Sequence, residues 1–217
     1  MNVKLISYSQ PPAGSELSDD LLQMVAYCAR VSNPGNQINE ATSEKLVKYL
    51  IKHQHWSPLE MVSACLEIDT TRDIGRQLLR HRSFSFQEFS QRYADPTKDM
   101  SFIRRGARLQ DPKNRQNSID AAPQVVQDLW DIKQQEVINK AREVYEWAIK
   151  EGIAKAQARS VLPEGNTMSR LYVNGTLRSW IHYIQLRAEN GTQQEHMDIA
   201  KTVGKVIYEI FPLDDII

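Results

Sequence analysis

Between Arg80 and Tyr93 the chain reads Arg80-His81-Arg82-Ser83-Phe84-Ser85-Phe86-Gln87-Glu88-Phe89-Ser90-Gln91-Arg92-Tyr93, its densest run of polar and ionisable side chains. Guanidinium forks pair two-point with phosphate or carboxylate oxygens, and serine hydroxyls or backbone amides complete such a shell, so these residue types suit an anion site. The competing reading is a solvated basic turn, which prevails on composition alone because charge clusters usually lie at the surface. Neither Gly-x-x-x-x-Gly-Lys-Ser/Thr nor Gly-x-Gly-x-x-Gly occurs, so a P-loop or Rossmann site is not expected. No Ser or Cys sits in a nucleophile elbow, and Ser90 has no assured base partner. His53, His55, His81, His182 and His196 lack the one-face spacing with an intervening acid that marks a hydrolytic zinc helix, so no metal is expected.

The background charge does not favour a general polyanion binder. Lys and Arg number 27 and Asp and Glu 27, so any anion site must be local. At 217 residues with 41% hydrophobic and 25% charged composition, the chain is expected to form one domain over 1–217 with its own core. Cys28 and Cys65 are too few for a disulfide framework and are expected to be buried and reduced. Without a leader pattern or a long apolar run, a cytoplasmic protein with no membrane partner is expected.

The elements that must carry these residues follow from periodicity. Residues 2–8 are β-prone, and 61–69 place Val62, Ala64, Leu66 and Ile68 on one face, giving two strands. Ser18 predicts an N-cap with Asp19 and Asp20 in the first turn of a helix carrying Leu21, Leu22, Val25 and Ala29. A second amphipathic helix spans 40–53. A helix over 71–81 stacks Arg72, Arg76 and Arg80 at steps of four, a repulsion that acids such as Asp73 or a bound anion must offset. Residues 82–105 read as strand fragments and loops. A long helix over 121–151 shows the stripe Val125, Leu129, Ile132, Val137, Ala141, Val144 and Ala148. A short helix covers Ala158 to Leu162, and Leu171-Tyr172-Val173 enters a turn at Asn174-Gly175. A helix over 176–189 ends at Asn190-Gly191, and Thr192-x-x-Glu195 predicts a capping box for the last helix. The expected class is α/β of the α+β type, a small, mostly antiparallel sheet wrapped by helices.

Arg80-His81-Arg82, then seven residues, then Ser90 resembles the Arg-His-Arg-x7-Ser signature of the flavin-dependent thymidylate synthases. His55-x-Ser57-Pro58-x-Glu60, Ala158-Arg159-x-Val161-Leu162-Pro163 and Leu177-Arg178-Ser179 through Leu186-Arg187-Ala188 resemble three further blocks of that family, in the family's order. The resemblance implies reductive methylation of dUMP to dTMP, with methylenetetrahydrofolate as carbon donor, FAD as hydride carrier and NADPH as reductant. It also implies a homotetramer with active sites shared between subunits. By position it assigns Gln77, Arg80, Glu88, Ser90, Gln91, Arg92, Arg159 and Arg187 to dUMP. It assigns His55, Ser57, Arg80, His81, Arg82, Glu88, Thr176, Arg178 and His182 to FAD. Gln87, Thr176 and His182 stand where many or some members carry Asn.

These implied roles are chemically coherent. Arg80, Arg92 and Arg159 with Ser90 can hold a phosphate, and Arg187 is the catalytic candidate, stabilising a uracil ring ionised at N3. Flavin performs hydride chemistry, so no protein nucleophile is required. The rival class is a nucleic-acid-binding module using residues 72–105, with Phe84, Phe86, Phe89 and Phe102 as stacking surfaces. Zero net charge counts against it.

Overall fold

The structure, a computed structural model, describes residues 1–213 apart from Ser18 and Asn190. In chain order its first half contains β1 (Asn2–Tyr8), α1 (Leu21–Ala29), α2 (Ser43–Lys52), β2 (Ser63–Thr71), α3 (Arg72–Leu78), β3 (Ser85–Glu88) and α4 (Pro96–Asp99). The second half contains β4 (Leu109–Gln110), β5 (Ser118–Ile119), α5 (Gln124–Lys150), α6 (Lys155–Ala158), β6 (Met168–Thr176), α7 (Leu177–Arg187) and α8 (Gln194–Ile210).

Alternation in β2 places Ala64, Leu66 and Ile68 on the buried face, and the register continues that face across the sheet. Ile68 lies opposite Val3 and Leu171, and Leu66 opposite Leu5 and Val173. The resulting antiparallel sheet runs β1-β2-β6-β3. Apolar residues of α1, α2, α7 and α8 join this face in one core that includes Val25, Val47, Trp180, Ile184, Val203 and Ile207. Each such burial contributes about 1.5–3 kcal/mol relative to exposure. Trp180 also keeps its polar atom satisfied, its Nε1–H donating to the Ala64 carbonyl at 3.1 Å.

Several local expectations are corrected. The cap expected at Ser18 lies outside the described residues, and Asp20 is the cap observed, its carboxylate accepting from Leu22 N at 2.7 Å. Thr192 does not cap α8; Gln193 precedes it and offers no side-chain cap. Asn174-Gly175 is not a turn. Both residues lie inside β6, paired with Cys65 and Ala64, and Gly175 leaves room for the Phe84 ring. For the turn at Asn190-Gly191, Asn190 lies outside the described residues, and Gly191 has a φ of 98°, a left-handed conformation that suits glycine. Cys28 and Cys65 are free but only half-buried, and burial raises both thiol pKa values.

The stripe expected along α5 is mostly uncovered. Ala141 and Ala148 are buried, but Val125 is 63% exposed and Leu129 54%, with Ile132, Val137, Trp130 and Trp147 exposed beside them. The first half of this helix is held instead by polar clamps. Gln127 bonds both the N–H and the carbonyl of Ala107, and Gln134 does the same for Arg105. Only the second half is anchored by apolar packing, through Tyr145 and Ala148 against Ala158 and Leu162.

Candidate active site

Three groupings of chemistry-bearing side chains emerge where the strands meet their helices. In the first, a cavity of about 320 Å³ is lined by Arg72 and Arg76 of α3, Gln91, Arg159, Ser160 and Glu164. Three guanidiniums face one carboxylate. Glu164 takes two bonds from Arg76 Nε at 2.8 Å and lies 3.9 Å from Arg72 Nε, and the Arg76 hydrogen bonds hold its carboxyl below the usual carboxylate range. Gln91 is 3% exposed, and its Nε2 has no hydrogen-bond partner among the described residues. A buried amide N–H without an acceptor is costly, and the residue that carries it borders a cavity dominated by cations, an environment suited to an anion.

Glu88 flanks that cavity without lining it. Its Oε1 accepts from Arg72 Nη1 at 3.2 Å and from Ser169 Oγ at 2.9 Å. The acids that offset the α3 arginines are therefore Glu164 and Glu88. Asp73, expected to do so, pairs with Arg105 instead. Arg80 does not continue the stripe, because α3 stops at Leu78 and the chain turns through Arg80 N to Gln77 O and His81 N to Leu78 O. Arg80, Arg82 and Arg92 are exposed, and none forms a salt bridge among the described residues. Ser90 opens the turn that follows β3, its hydroxyl 3.4 Å from Arg92 N.

The second grouping lies between α3, α7 and α8. Arg187 in the last turn of α7 donates from Nε to His81 Nε2 at 3.0 Å. Gln77 bonds His196 Nδ1 through Oε1 at 3.0 Å and Gln193 Oε1 through Nε2 at 2.8 Å. Burial, reinforced by Arg187, lowers the His81 pKa, so the imidazole is neutral and free to accept from that arginine. His196 is held down to about 4 by burial first, then by Arg187 and His81. Tyr183, packed against both imidazoles, has its phenol pushed up by burial.

The third grouping is a cleft of about 560 Å³ lined by His55, Trp56, Ser57, Glu60 and Arg178, among others. The short 3₁₀ turn Ser57–Glu60 and the first turn of α7 bring these residues together, and Arg178 Nη1 bonds Glu60. His182 stands one turn further along α7, its ring edge-on to Trp56 at 4.3 Å, and burial followed by Arg178 lowers its pKa. The Thr176 hydroxyl caps α7, accepting from Ser179 N at 3.3 Å. Gln54 at the cleft rim has a φ of 58°, unusual for a residue with a Cβ.

The expected positions thus separate. His55, Ser57 and Arg178 share the cleft; Gln91 and Arg159 share the cavity; Gln77, His81 and Arg187 share the helix junction. Arg72, Arg76 and Ser160 were missed as cavity residues. The four-residue stagger of α3 hinted at the first two, whereas nothing local pointed to Ser160 or to the contact of His196 with Gln77. Phe84, expected as a stacking surface in the nucleic-acid reading, is buried against Trp180 with ring centroids 4.5 Å apart. Among the described residues no cluster of His, Cys, Asp or Glu could hold a metal, and no helix is long and apolar enough to cross a membrane.

The depressed histidines fix a pH dependence. Unfolded, His196 takes up its proton near pH 6.5, and folded near pH 4, so the unfolded chain binds more protons between these values. Stability from the neutral imidazole is full above pH 6.5 and lost as pH falls toward 4, by up to about 1.4 kcal/mol per pH unit. His81 and His182 act with the same sign. The thermal midpoint is expected to fall between pH 7 and pH 5, and less steeply in His196→Leu. Equal slopes in the two proteins would contradict this assignment.

Residues 16–213 match the family model described as thymidylate synthase complementing protein. A flavin-dependent thymidylate synthase from Synechocystis sp. is 46% identical over 215 residues, covering 98% of this chain and 96% of the relative. Another from Kosmotoga olearia is 30% identical over 197 residues, covering 91% and 84%. A crystal structure of the UMP/dUMP methylase PolB from Streptomyces cacaoi, bound with 5-Br dUMP, superposes with a TM-score of 0.80 at 24% identity. That match covers 97% of this chain and 91% of the other, and shows a shared fold. Family match, full-length relatives and fold agree: the chain belongs to the flavin-dependent thymidylate synthases.

Proposed function

We propose that this protein methylates dUMP reductively to dTMP, taking the carbon from methylenetetrahydrofolate, using FAD as hydride carrier and NADPH as reductant. The observation that carries this reading is the cavity ringed by Arg72, Arg76 and Arg159 with the buried Gln91 at its border, a site chemically suited to a nucleotide phosphate. Ser90, Arg92 and Arg80 add further donors to that phosphate, with Glu88 holding Arg72 in place. Gln77 and Arg187 receive the pyrimidine. A guanidinium at the O2/N3 edge favours the ring ionised at N3, which raises electron density at C5 for attack on the methylene carbon. His81 orients Arg187 by accepting its Nε–H.

The third cleft fits a flavin. His55, Ser57 and Arg178 in its lining offer an imidazole, a hydroxyl and a guanidinium, and Trp56, with His182 against it, adds an aromatic edge. Thr176, Arg82, His81, Arg80 and Glu88 are the remaining positions proposed to face the cofactor. Bound there, the flavin supplies hydride chemistry, leaving the protein to orient, charge and enclose the reactants. The uncovered apolar stripe of α5, with Leu129, Trp130 and Ile132 exposed, supports assembly of identical chains, and we place the enzyme in a homotetramer in the cytoplasm. Association brings the phosphate cavity of one subunit to the helix junction of another.

Equilibrium binding of dUMP tests the reading. Arg159→Ala is expected to weaken binding by about 10- to 100-fold, the range for losing a charged hydrogen bond, without loss of flavin. Ser90→Ala should weaken it less and retain turnover. Raising salt should reduce dUMP affinity only modestly, whereas a phosphate-tracking nucleic-acid binder loses affinity steeply. Unchanged dUMP affinity in Arg159→Ala would overturn the phosphate assignment.

A further inference from the structure

His196 lies in the first turn of α8, fully enclosed at 0% exposure, with its Nδ1 on Gln77 Oε1 at 3.0 Å. We propose that His196 is a positioning residue that fixes the carboxamide of Gln77 in one of its two orientations for contact with the nucleotide. The proposal rests on the reading of Gln77 as a dUMP contact.

The polarity of the hydrogen-bond chain fixes the orientation of Gln77. Glu195 ends it with a carboxylate, which only accepts, so Gln193 must present its Nε2 there, as it does at 2.9 Å. The Gln193 oxygen then faces Gln77 and accepts from its Nε2 at 2.8 Å. Gln77 is left with its oxygen toward His196, an arrangement satisfied only if Nδ1 carries a proton. The Nε2–H tautomer would set two lone pairs against each other in a buried site, a costly arrangement. Arg105 Nε lies 3.9 Å from Glu195, placing a cation beside the acid end of the chain.

Gln77 thereby has one amide hydrogen and one oxygen lone pair committed inward, and one of each left for a ligand. Reversing the carboxamide would exchange donor and acceptor toward that ligand. A pyrimidine edge, which itself alternates acceptor and donor, distinguishes the two orders. The imidazole is suited to this role because its surroundings hold it in place. Its ring packs against Tyr183 at 5.7 Å and stands edge-on to His81 at 6.4 Å, and His81 in turn holds Arg187.

Two measurements on the flavin-loaded full chain decide the matter. Nitrogen NMR of protein labelled at histidine is expected to show His196 neutral and protonated at Nδ1 at pH 7. Calorimetric titration with dUMP is expected to show about tenfold weaker binding for His196→Leu, with flavin content unchanged and KM raised more than kcat is lowered. His196→Asn, whose side-chain amide nitrogen takes the place of Nδ1, should restore affinity to within about threefold of wild type. An Nε2–H tautomer with dUMP bound, wild-type affinity in the Leu variant, or an Asn variant as weak as Leu would each overturn the role of His196. Absence of dUMP binding by the wild type would instead overturn the nucleotide reading of Gln77, and this role with it.

Discussion

Arg187→Ala is expected to reduce dTMP formation by about 10²- to 10³-fold, with near wild-type flavin content and thermal stability. The magnitude is that of removing one preorganised donor from developing charge, about 2.7–4 kcal/mol. Arg187 is half-buried at the end of α7, and its one hydrogen bond among the described residues runs from Nε to His81. Its terminal nitrogens remain for a ligand. Because the charge on the pyrimidine grows as C5 becomes nucleophilic, the loss should appear mainly in kcat. Arg187→Lys keeps the charge but not the planar fork, and should recover only part of the rate. Turnover of Arg187→Ala within twofold of wild type would refute the assignment.

Gly175→Ala is the substitution expected to cost the fold most for its size. A Cβ at this position would stand 2.3 Å from Phe84 Cδ1 and 2.5 Å from Cε1, closer than any real carbon contact. Phe84 cannot simply step aside. Its ring is packed against Trp180 at 4.5 Å and lies near Tyr183 at 6.1 Å and His81 at 6.4 Å. Overpacking of this kind costs about 3 kcal/mol, which for a chain of this length lowers the thermal midpoint by about 10 °C. Any displacement of Phe84 also disturbs His81 and so the orientation of Arg187, so activity should fall along with stability. A midpoint within 2 °C of wild type would show that the strand absorbs the methyl group.

The same glycine shows where local reading fails. Asn-Gly is a turn signal by backbone propensity, yet here pairing of Ala64 with Gly175 and the approach of Phe84 keep both residues in β6. The long helix shows a second limit. Periodicity along α5 is real, but it does not say whether the stripe is buried, and Val125 and Leu129 lie exposed outside the core. Strand β2 was legible because one face is buried along its whole length, and period-two alternation records that directly.

For the site, the residue types of the Arg80–Arg92 segment and the blocks around His55, Arg159 and Arg187 were readable as chemistry before any geometry. Their partners were not. Glu164 meets Arg76 across 88 positions and His196 meets Gln77 across 119, and separations of that kind leave no trace in local spacing. The sequence shows Arg72 and Arg76 as a repulsive stack in need of a counter-charge. Only the fold shows Glu164 supplying it beside a cavity with room for a further anion.

The decisive measurement is an anaerobic reaction of the flavin-loaded protein with dUMP, NADPH and methylenetetrahydrofolate labelled at its methylene carbon, with the nucleotide products separated and counted. The expected product is dTMP carrying the label in its methyl group, formed over many turnovers and dependent on NADPH. Bound dUMP and reduced flavin without labelled dTMP would contradict it.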